Sequence, residues 1–230
     1  MKKNIFIACD TNNLKNVKRI IKNTKTNKLN IGYKFGIEFF YSKHGRSFIS
    51  KLNNKVPVWA DLKLKDIPNT VASAIISLKD LKNINYITIH TSGGIEMMKA
   101  AKKSAKKINK KLKVLGVTVL TSFSEKSLKQ TGHTKSIKKI VEQQTKLAMS
   151  AGLDGVVCSA HEVKSIRKIC KRKMIITPGI RLENDSVQDQ KRVMSPKKAF
   201  QNKADAIVIG RSITNGNIKN NIQKLINSLR

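Results

Sequence analysis

The sequence has little of what marks a membrane protein or a disulfide-bonded secreted protein. No stretch approaches the roughly 18 consecutive apolar residues that a membrane-spanning helix requires, so no membrane span is predicted. Three cysteines occur, Cys9, Cys158 and Cys170, and they are odd in number and widely spaced. Since Cys9 and Cys158 lie in predicted strands, we expect buried free thiols and a reducing, cytoplasmic location.

Acidic and aromatic residues are also scarce. Asp and Glu number 14 against 47 Lys and Arg, which gives a formal net charge of +33, and aromatic residues make up 5% of the chain. The lysines are spread through every segment between predicted strands, as in 99–113, and few rings are available to stack on bases. We therefore interpret the charge as a solvated helix surface and expect no nucleic-acid partner. Attraction of small anions, or a basic RNA-associated barrel without catalysis, remains an alternative.

Short apolar runs rich in Val and Ile recur along the whole chain. They occupy 4–10, 31–36, 56–63, 86–92, 113–120, 155–160, 174–179 and 206–211. Segments with apolar residues at helical spacing lie between these runs, for example 69–81 and 136–152. Gly152 is predicted to cap the second of these helices at its C-terminus. This alternation predicts an α/β fold, a (β/α)₈ TIM barrel, with a doubly wound open sheet as the alternative. No linker-like composition divides the chain, so residues 1–230 are expected to form one domain.

Polar residues stand where the predicted strands end. They are Asp10, Lys34, Asp61 with Lys63, His90, Thr118 with Thr121, Ser159, Arg181, and Gly210 with Arg211. The carboxyl ends of barrel strands meet at one mouth, which is where TIM barrels carry their active sites. His90 is expected to be a packed barrel residue rather than a metal ligand.

The stretch DLKLKDIPNT (61–70) concentrates charge at the end of a buried strand. Asp61 and Lys63 are two residues apart, so both side chains are predicted to point into the mouth. Lys34 ends the neighbouring strand and should lie beside Asp61, with Asp66 just beyond the strand end. A network of alternating carboxylates and ammonium groups can hold a lysine charged and aimed as a proton donor.

A phosphate site is predicted at the last two strands. Gly210 and Arg211 follow strand eight, and Arg181 follows strand seven. Backbone amides and arginine forks at this point of a barrel bind phosphate. The polar segment 182–192 is long enough to cover such a phosphate.

The motif D-x-K-x-x-D-I-P-N-T resembles that of the orotidine 5′-phosphate decarboxylase family. Further segments resemble the family in order and spacing: IACD (7–10), YKFGIEFF (33–40), TIHTSGG (88–94), GVTVLTSF (116–123), GLDGVVCSA (152–160), TPGIRL (177–182) and IVIGRSI (207–213). The resemblance covers essentially the whole chain. It implies a TIM-barrel homodimer that converts orotidine 5′-phosphate to UMP and CO₂ without a metal or organic cofactor.

The resemblance also implies roles for individual residues. Lys63 would protonate C6 as CO₂ leaves, Asp61 would lie beside the substrate carboxylate, and Lys34 would lie between Asp61 and the ribose hydroxyls. Asp66 would reach into the partner's site across a dimer interface, accompanied by Ile67 and Thr70. The implied substrate contacts are Asp10, Lys34, Asp61, Ile67, Thr70, Thr121, Arg181, Gln190, Gly210 and Arg211. Gln188 is close enough to Gln190 to be the phosphate-binding glutamine instead.

An alternative hypothesis is that the chain is similar to 3-keto-L-gulonate 6-phosphate decarboxylase, a magnesium-dependent relative with a similar motif. That family needs an acidic metal ligand at the end of strand two. Lys34 stands there in this chain and would repel a divalent cation.

Overall fold

The apolar runs form eight parallel strands that close into a barrel. The computed structural model describes residues 2–182 and 192–230. The strands are β1 (Asn4–Ala8), β2 (Asn30–Gly36), β3 (Val58–Leu64), β4 (Tyr86–His90), β5 (Lys113–Val117), β6 (Gly155–Val157), β7 (Met174–Thr177) and β8 (Ala206–Ile209). Each pairs with the next in sequence, and β8 pairs with β1. The predicted TIM barrel is therefore confirmed, and the open sheet is excluded.

Helices connect the strands and cover the outside of the barrel. They are α1 (Leu14–Asn23), α2 (Ile37–Phe40), α3 (Gly45–Ser50), α4 (Pro68–Ile76), α5 (Gly94–Ile108), α6 (Glu125–Lys129), α7 (Ile137–Ser150), α8 (Val163–Cys170), α9 (Pro196–Gln201), α10 (Arg211–Thr214) and α11 (Ile218–Ser228). The helix predicted over 69–81 ends early, at Ile76, where the Ser77 hydroxyl donates to the Ala74 carbonyl. Gly152 follows α7 with φ +75°, in the left-handed conformation expected of a glycine cap.

The barrel interior changes from apolar to charged along its axis. Near the amino ends of the strands, Phe6 packs edge-to-face on Trp59 and Tyr86, with ring centroids 5.2 and 5.3 Å apart. Towards the carboxyl ends, the inward positions are taken by polar groups such as Lys34 and Asp61, both of which remain buried. A second apolar layer lies between the strands and the helices. The apolar half of the interior thus forms the floor beneath a polar mouth.

Polar side chains also organise the opposite, amino-terminal rim of the barrel. The residue just before β4, β6 and β8 joins an early residue of the preceding strand by two hydrogen bonds. Its side-chain oxygen accepts from that residue's N–H, and its own N–H donates to that residue's carbonyl. The pairs are Asn85 with Val58, Asp154 with Val114, and Asp205 with Ile175, at 2.7 to 3.0 Å. The carbonyls of Asn85, Asp154 and Asp205 accept one hydrogen bond each from the following strand, so the rim is joined most closely within the pairs β3–β4, β5–β6 and β7–β8.

The described residues also bear on the predictions about membrane spans and cysteine thiols. Within 2–182 and 192–230, no helix combines the length and apolarity needed to cross a bilayer. Cys9, Cys158 and Cys170 are buried free thiols, as predicted.

Candidate active site

Four charged side chains form a continuous chain at the barrel mouth. The Lys34 ammonium lies 2.9 Å from Asp10 Oδ1 and 3.1 Å from Asp61 Oδ2, and the Lys63 ammonium lies 2.7 Å from the same Asp61 oxygen. The side chains of Lys34 and Asp61 are 9% and 7% exposed, whereas that of Lys63 is 31% exposed. The alternating network predicted from the sequence is therefore present, and Lys63 is its more accessible ammonium.

The network keeps its buried members ionised. Burial by itself raises the pKa of Asp61, but the ammonium groups of Lys34 and Lys63 outweigh it and lower that pKa to about 2. Burial likewise disfavours the charged form of Lys34, but Asp61 and Asp10 outweigh it and raise the pKa of Lys34 above its usual value. A buried anion thus lies between two cations, and burial strengthens their attraction.

Strand β3 is irregular where it carries these charges. Its register against β4 passes from Ala60 opposite Ile87 to Leu64 opposite Ile89, so three residues of β3 face Thr88 alone. Lys63 has φ +50°, in the left-handed region that side chains other than glycine rarely adopt. Asp61 and Lys63 share one face as predicted, but the bulge, rather than regular strand alternation, sets the geometry of that face.

One cavity of about 720 Å³ opens over the network. Eight predicted site residues line it: Asp10, Lys34, Asp61, Lys63, Thr121, Arg181, Gly210 and Arg211. They come from six different strand ends, and the fold brings them together. Further lining residues, which were not predicted, lie on α1 and around α10: Asn16, Arg19, Thr214 and Asn215. Arg19 donates to the Thr214 carbonyl at 3.4 Å, a contact between α1 and α10 that no sequence motif indicated.

The arginines stand at the side of the cavity formed by β7 and β8. Arg211 begins α10 directly after β8, and Gly210 precedes it. The Arg181 N–H donates to the Met194 carbonyl at 3.1 Å, and the Met194 N–H donates to the Gly179 carbonyl at 3.1 Å. These two bonds join the chain on either side of 183–191. The predicted phosphate-binding glutamine, Gln190 or Gln188, lies outside the described residues.

Three predicted site residues do not line this cavity. Asp66 and Ile67 are exposed on the turn into α4, and Thr70 is exposed in the first turn of that helix. The Asp66 carboxylate accepts a 2.7 Å hydrogen bond from the Ile67 N–H. Ile67 is 66% exposed, and Ile37 and Tyr41, which follow the neighbouring strand β2, are 51% and 70% exposed. The rim beside the cavity therefore combines a carboxylate with large exposed apolar side chains.

His90 stands at the end of β4, and the other potential metal ligands of the described residues lie elsewhere than in one group with it. Burial, followed by the nearby Lys63 and Lys65 charges, lowers the pKa of His90 below its usual value. Across the described parts of the chain, no three His, Cys, Asp or Glu side chains gather so as to hold a metal ion.

Comparison with known proteins agrees with this geometry. Residues 3–223 match the model of the Orotidine 5'-phosphate decarboxylase / HUMPS family. Proteins named orotidine 5'-phosphate decarboxylase are similar over most of the chain. The one from Wolbachia sp. subsp. Brugia malayi is 42% identical and covers 96% of both chains. The one from Carboxydothermus hydrogenoformans is 41% identical and covers 93% of this chain and 90% of its own.

Solved structures give the same result. The crystal structure of orotidine 5'-phosphate decarboxylase from Lactobacillus acidophilus superimposes with a TM-score of 0.84 at 30% identity, covering 100% of both chains. The matches in sequence and in structure both extend over the whole barrel, including the strand ends that form the cavity. The chain belongs to the Orotidine 5'-phosphate decarboxylase / HUMPS family.

Proposed function

We propose that this protein decarboxylates orotidine 5′-phosphate to UMP and CO₂, the last step of UMP biosynthesis. The observation that carries the proposal is the alternating chain of Asp10, Lys34, Asp61 and Lys63 at the mouth of the barrel. It lines the same cavity as the arginines that follow β7 and β8. The names of the curated relatives support the same substrate and reaction.

The chemistry requires a group that stabilises a localised carbanion. When the bond between C6 and the carboxylate breaks, the electron pair stays in an sp² orbital on C6, where the ring carbonyls cannot delocalise it. We assign Lys63 to this carbon: its ammonium stabilises the developing charge and then transfers a proton to C6. Asp61, held anionic by two lysines, orients that ammonium. Lys34 links Asp61 to Asp10, and we assign both Lys34 and Asp10 to the ribose.

The other end of the substrate would be held through its phosphate. We assign Arg181, Gly210 and Arg211 to this group, with Gln190 or Gln188 from outside the described residues, and Thr121 to the pyrimidine. The phosphate is remote from C6, so its binding energy can orient the reacting carbon without taking part in the reaction. Neither these residues nor the charge network calls for a metal or organic cofactor in this scheme.

Replacing Arg211 with alanine tests the phosphate assignment. We expect kcat/KM for orotidine 5′-phosphate to fall about 10- to 100-fold, because a charge-assisted hydrogen bond to the phosphate is lost. For the phosphate-free nucleoside orotidine, the same variant should differ little from wild type. Arg172→Ala is the matched control, since Arg172 is exposed before β7 at the opposite rim. Equal losses for nucleotide and nucleoside would remove Arg211 from the phosphate site.

The protein is further proposed to act as a homodimer in the cytoplasm. Asp66, Ile67 and Thr70 would enter the partner's site, which accounts for an exposed carboxylate that does not line its own cavity. The exposed Ile37, Tyr41 and Ile67 provide an apolar surface for such an interface. Buried free thiols at all three cysteines agree with a reducing compartment.

The deciding experiment follows the ultraviolet absorbance of orotidine 5′-phosphate after enzyme is added in the presence of EDTA. We expect the absorbance to fall as UMP forms. No turnover in EDTA, with recovery on adding Mg²⁺, would favour the magnesium-dependent relative. No turnover in either condition, together with salt-dependent RNA binding and no affinity for UMP, would favour the non-catalytic basic barrel.

A further inference from the structure

Thr88 lies at the centre of the bulge that carries Asp61 and Lys63. It is fully buried in β4, and it alone lies opposite the three bulged residues 61–63 of β3. Its hydroxyl donates a 2.8 Å hydrogen bond to Asp61 Oδ1 and accepts a 3.1 Å hydrogen bond from the Lys63 N–H. One hydroxyl therefore contacts both Lys63, which is assigned to the reacting carbon, and the carboxylate that orients its ammonium.

The two carboxylate oxygens of Asp61 contact different partners. Oδ2 contacts the ammonium groups of both Lys34 and Lys63. Those contacts alone would let the carboxylate rotate about its bond to Cβ and exchange its oxygens. The bond from Thr88 to Oδ1 fixes the plane of the carboxylate and leaves Oδ2 aimed at Lys63.

The backbone of Lys63 also needs support. Among the described residues, the other non-glycine residues with positive φ are Lys171 and Lys203, and both are exposed in turns after helices. Lys63 alone of these lies within a strand. A left-handed residue other than glycine carries strain and persists only where its surroundings hold it. At the bulge, the Lys63 N–H bonds to the Thr88 side chain, which replaces the backbone acceptor that a regular ladder would offer.

We propose that Thr88 is the positioning residue of this site, holding the Asp61 carboxylate and the left-handed Lys63 backbone so that the Lys63 ammonium points into the cavity. The kinetic part of this inference rests on the proposed decarboxylation. Thr88 does not line the cavity, and it acts through the two residues that do.

Thr88→Val removes the hydroxyl and keeps the branched shape, while Thr88→Ser keeps the hydroxyl and removes a methyl group. We expect Thr88→Val to lower kcat for orotidine 5′-phosphate by about 10- to 100-fold, with KM and the Kd for UMP within about threefold of wild type. Thr88→Ser should retain kcat within about threefold. Thr145→Val is the matched control: Thr145 is buried on α7, outside the cavity, and its hydroxyl donates to the Val141 carbonyl at 2.7 Å, so kcat should stay near wild type while Tm falls.

A value of kcat for Thr88→Val within threefold of wild type would overturn the proposal, as would Thr88→Ser being as impaired as Thr88→Val. If Thr88→Val does not fold, Thr88→Ala replaces it in the same comparison. Crystal structures of substrate-free wild type, the valine variant and the serine variant test the positioning role of Thr88 without depending on turnover. The Lys63 ammonium should leave Asp61 Oδ2, or Lys63 φ should become negative, in the valine variant alone; unchanged geometry would contradict the inference even if wild type is active. If the valine variant shows this displacement but the wild type does not turn over orotidine 5′-phosphate, the positioning role of Thr88 holds and the proposed reaction is wrong.

Discussion

Lys63→Ala should reduce kcat for orotidine 5′-phosphate by at least about 10⁴-fold while the Kd for UMP changes little. The substitution removes both the proton donor and the cation next to the developing carbanion, and these two effects together are worth at least that much. Both act mainly in the transition state, so substrate and product binding should be retained. Single-turnover kinetics and calorimetric titration with UMP measure the two quantities separately.

Lys65→Ala is the matched control for this loss. Lys65 carries the same charge two residues further along the chain, and it is exposed. Its substitution should leave kcat within about threefold of wild type. If Lys63→Ala kept activity within about tenfold of wild type, a barrier change of roughly 1.4 kcal/mol, Lys63 could not be the proton donor.

Co-expressing an Asp66→Asn chain with a Lys63→Ala chain should restore activity that neither variant has alone. If each site takes Lys63 from one chain and Asp66 from its partner, a mixed dimer contains one site with both defects and one site with none. Random equal pairing makes half of the dimers mixed, so about a quarter of wild-type activity is the expected ceiling. Purified mixtures with known dimer composition, determined by native mass spectrometry, allow the recovered activity to be compared with that ceiling.

The control mixture combines Asp61→Asn with Lys63→Ala. Both residues belong to the same chain's part of the site, where they form the 2.7 Å ion pair. Every mixed dimer then has a defect in each site, and activity should stay at the level of the single variants. No recovery with Asp66→Asn despite confirmed mixed dimers would mean that Asp66 serves its own chain. Recovery in the Asp61→Asn control would mean that the regained activity does not come from complementation between the two sites.

Much of the barrel and its mouth could be predicted from local sequence patterns. Continuous Val- and Ile-rich runs predict strands covered on both faces, and the carboxyl ends of parallel strands must meet at one mouth. That rule alone placed Lys34 beside Asp61, and the structure pairs Gly36 with Asp61 in adjacent strands. Each of these predictions depends on the pattern within one run and on the order of the runs.

The bulge at Asp61 and Lys63 could not be predicted in this way. Its existence depends on how β3 and β4 are aligned, a relation between residues more than 20 positions apart. In the sequence, Thr88 is one more β-branched residue in YITIH, a type that strands favour for packing alone. Its role appears only when the register places it opposite three residues of the neighbouring strand. The exposure of Asp66, by contrast, agreed with its predicted place on the turn.

The paired hydrogen bonds at the amino-terminal rim have a consequence for how the barrel opens. Asn85, Asp154 and Asp205 each hold both backbone groups of one residue in the preceding strand, which secures β3 to β4, β5 to β6 and β7 to β8. Thermal fraying that starts at this rim should therefore loosen the contacts between these pairs before it loosens those within one. The amino-terminal end of β4 would then stay attached to β3, the strand whose charges Thr88 supports, while the rim around them opens.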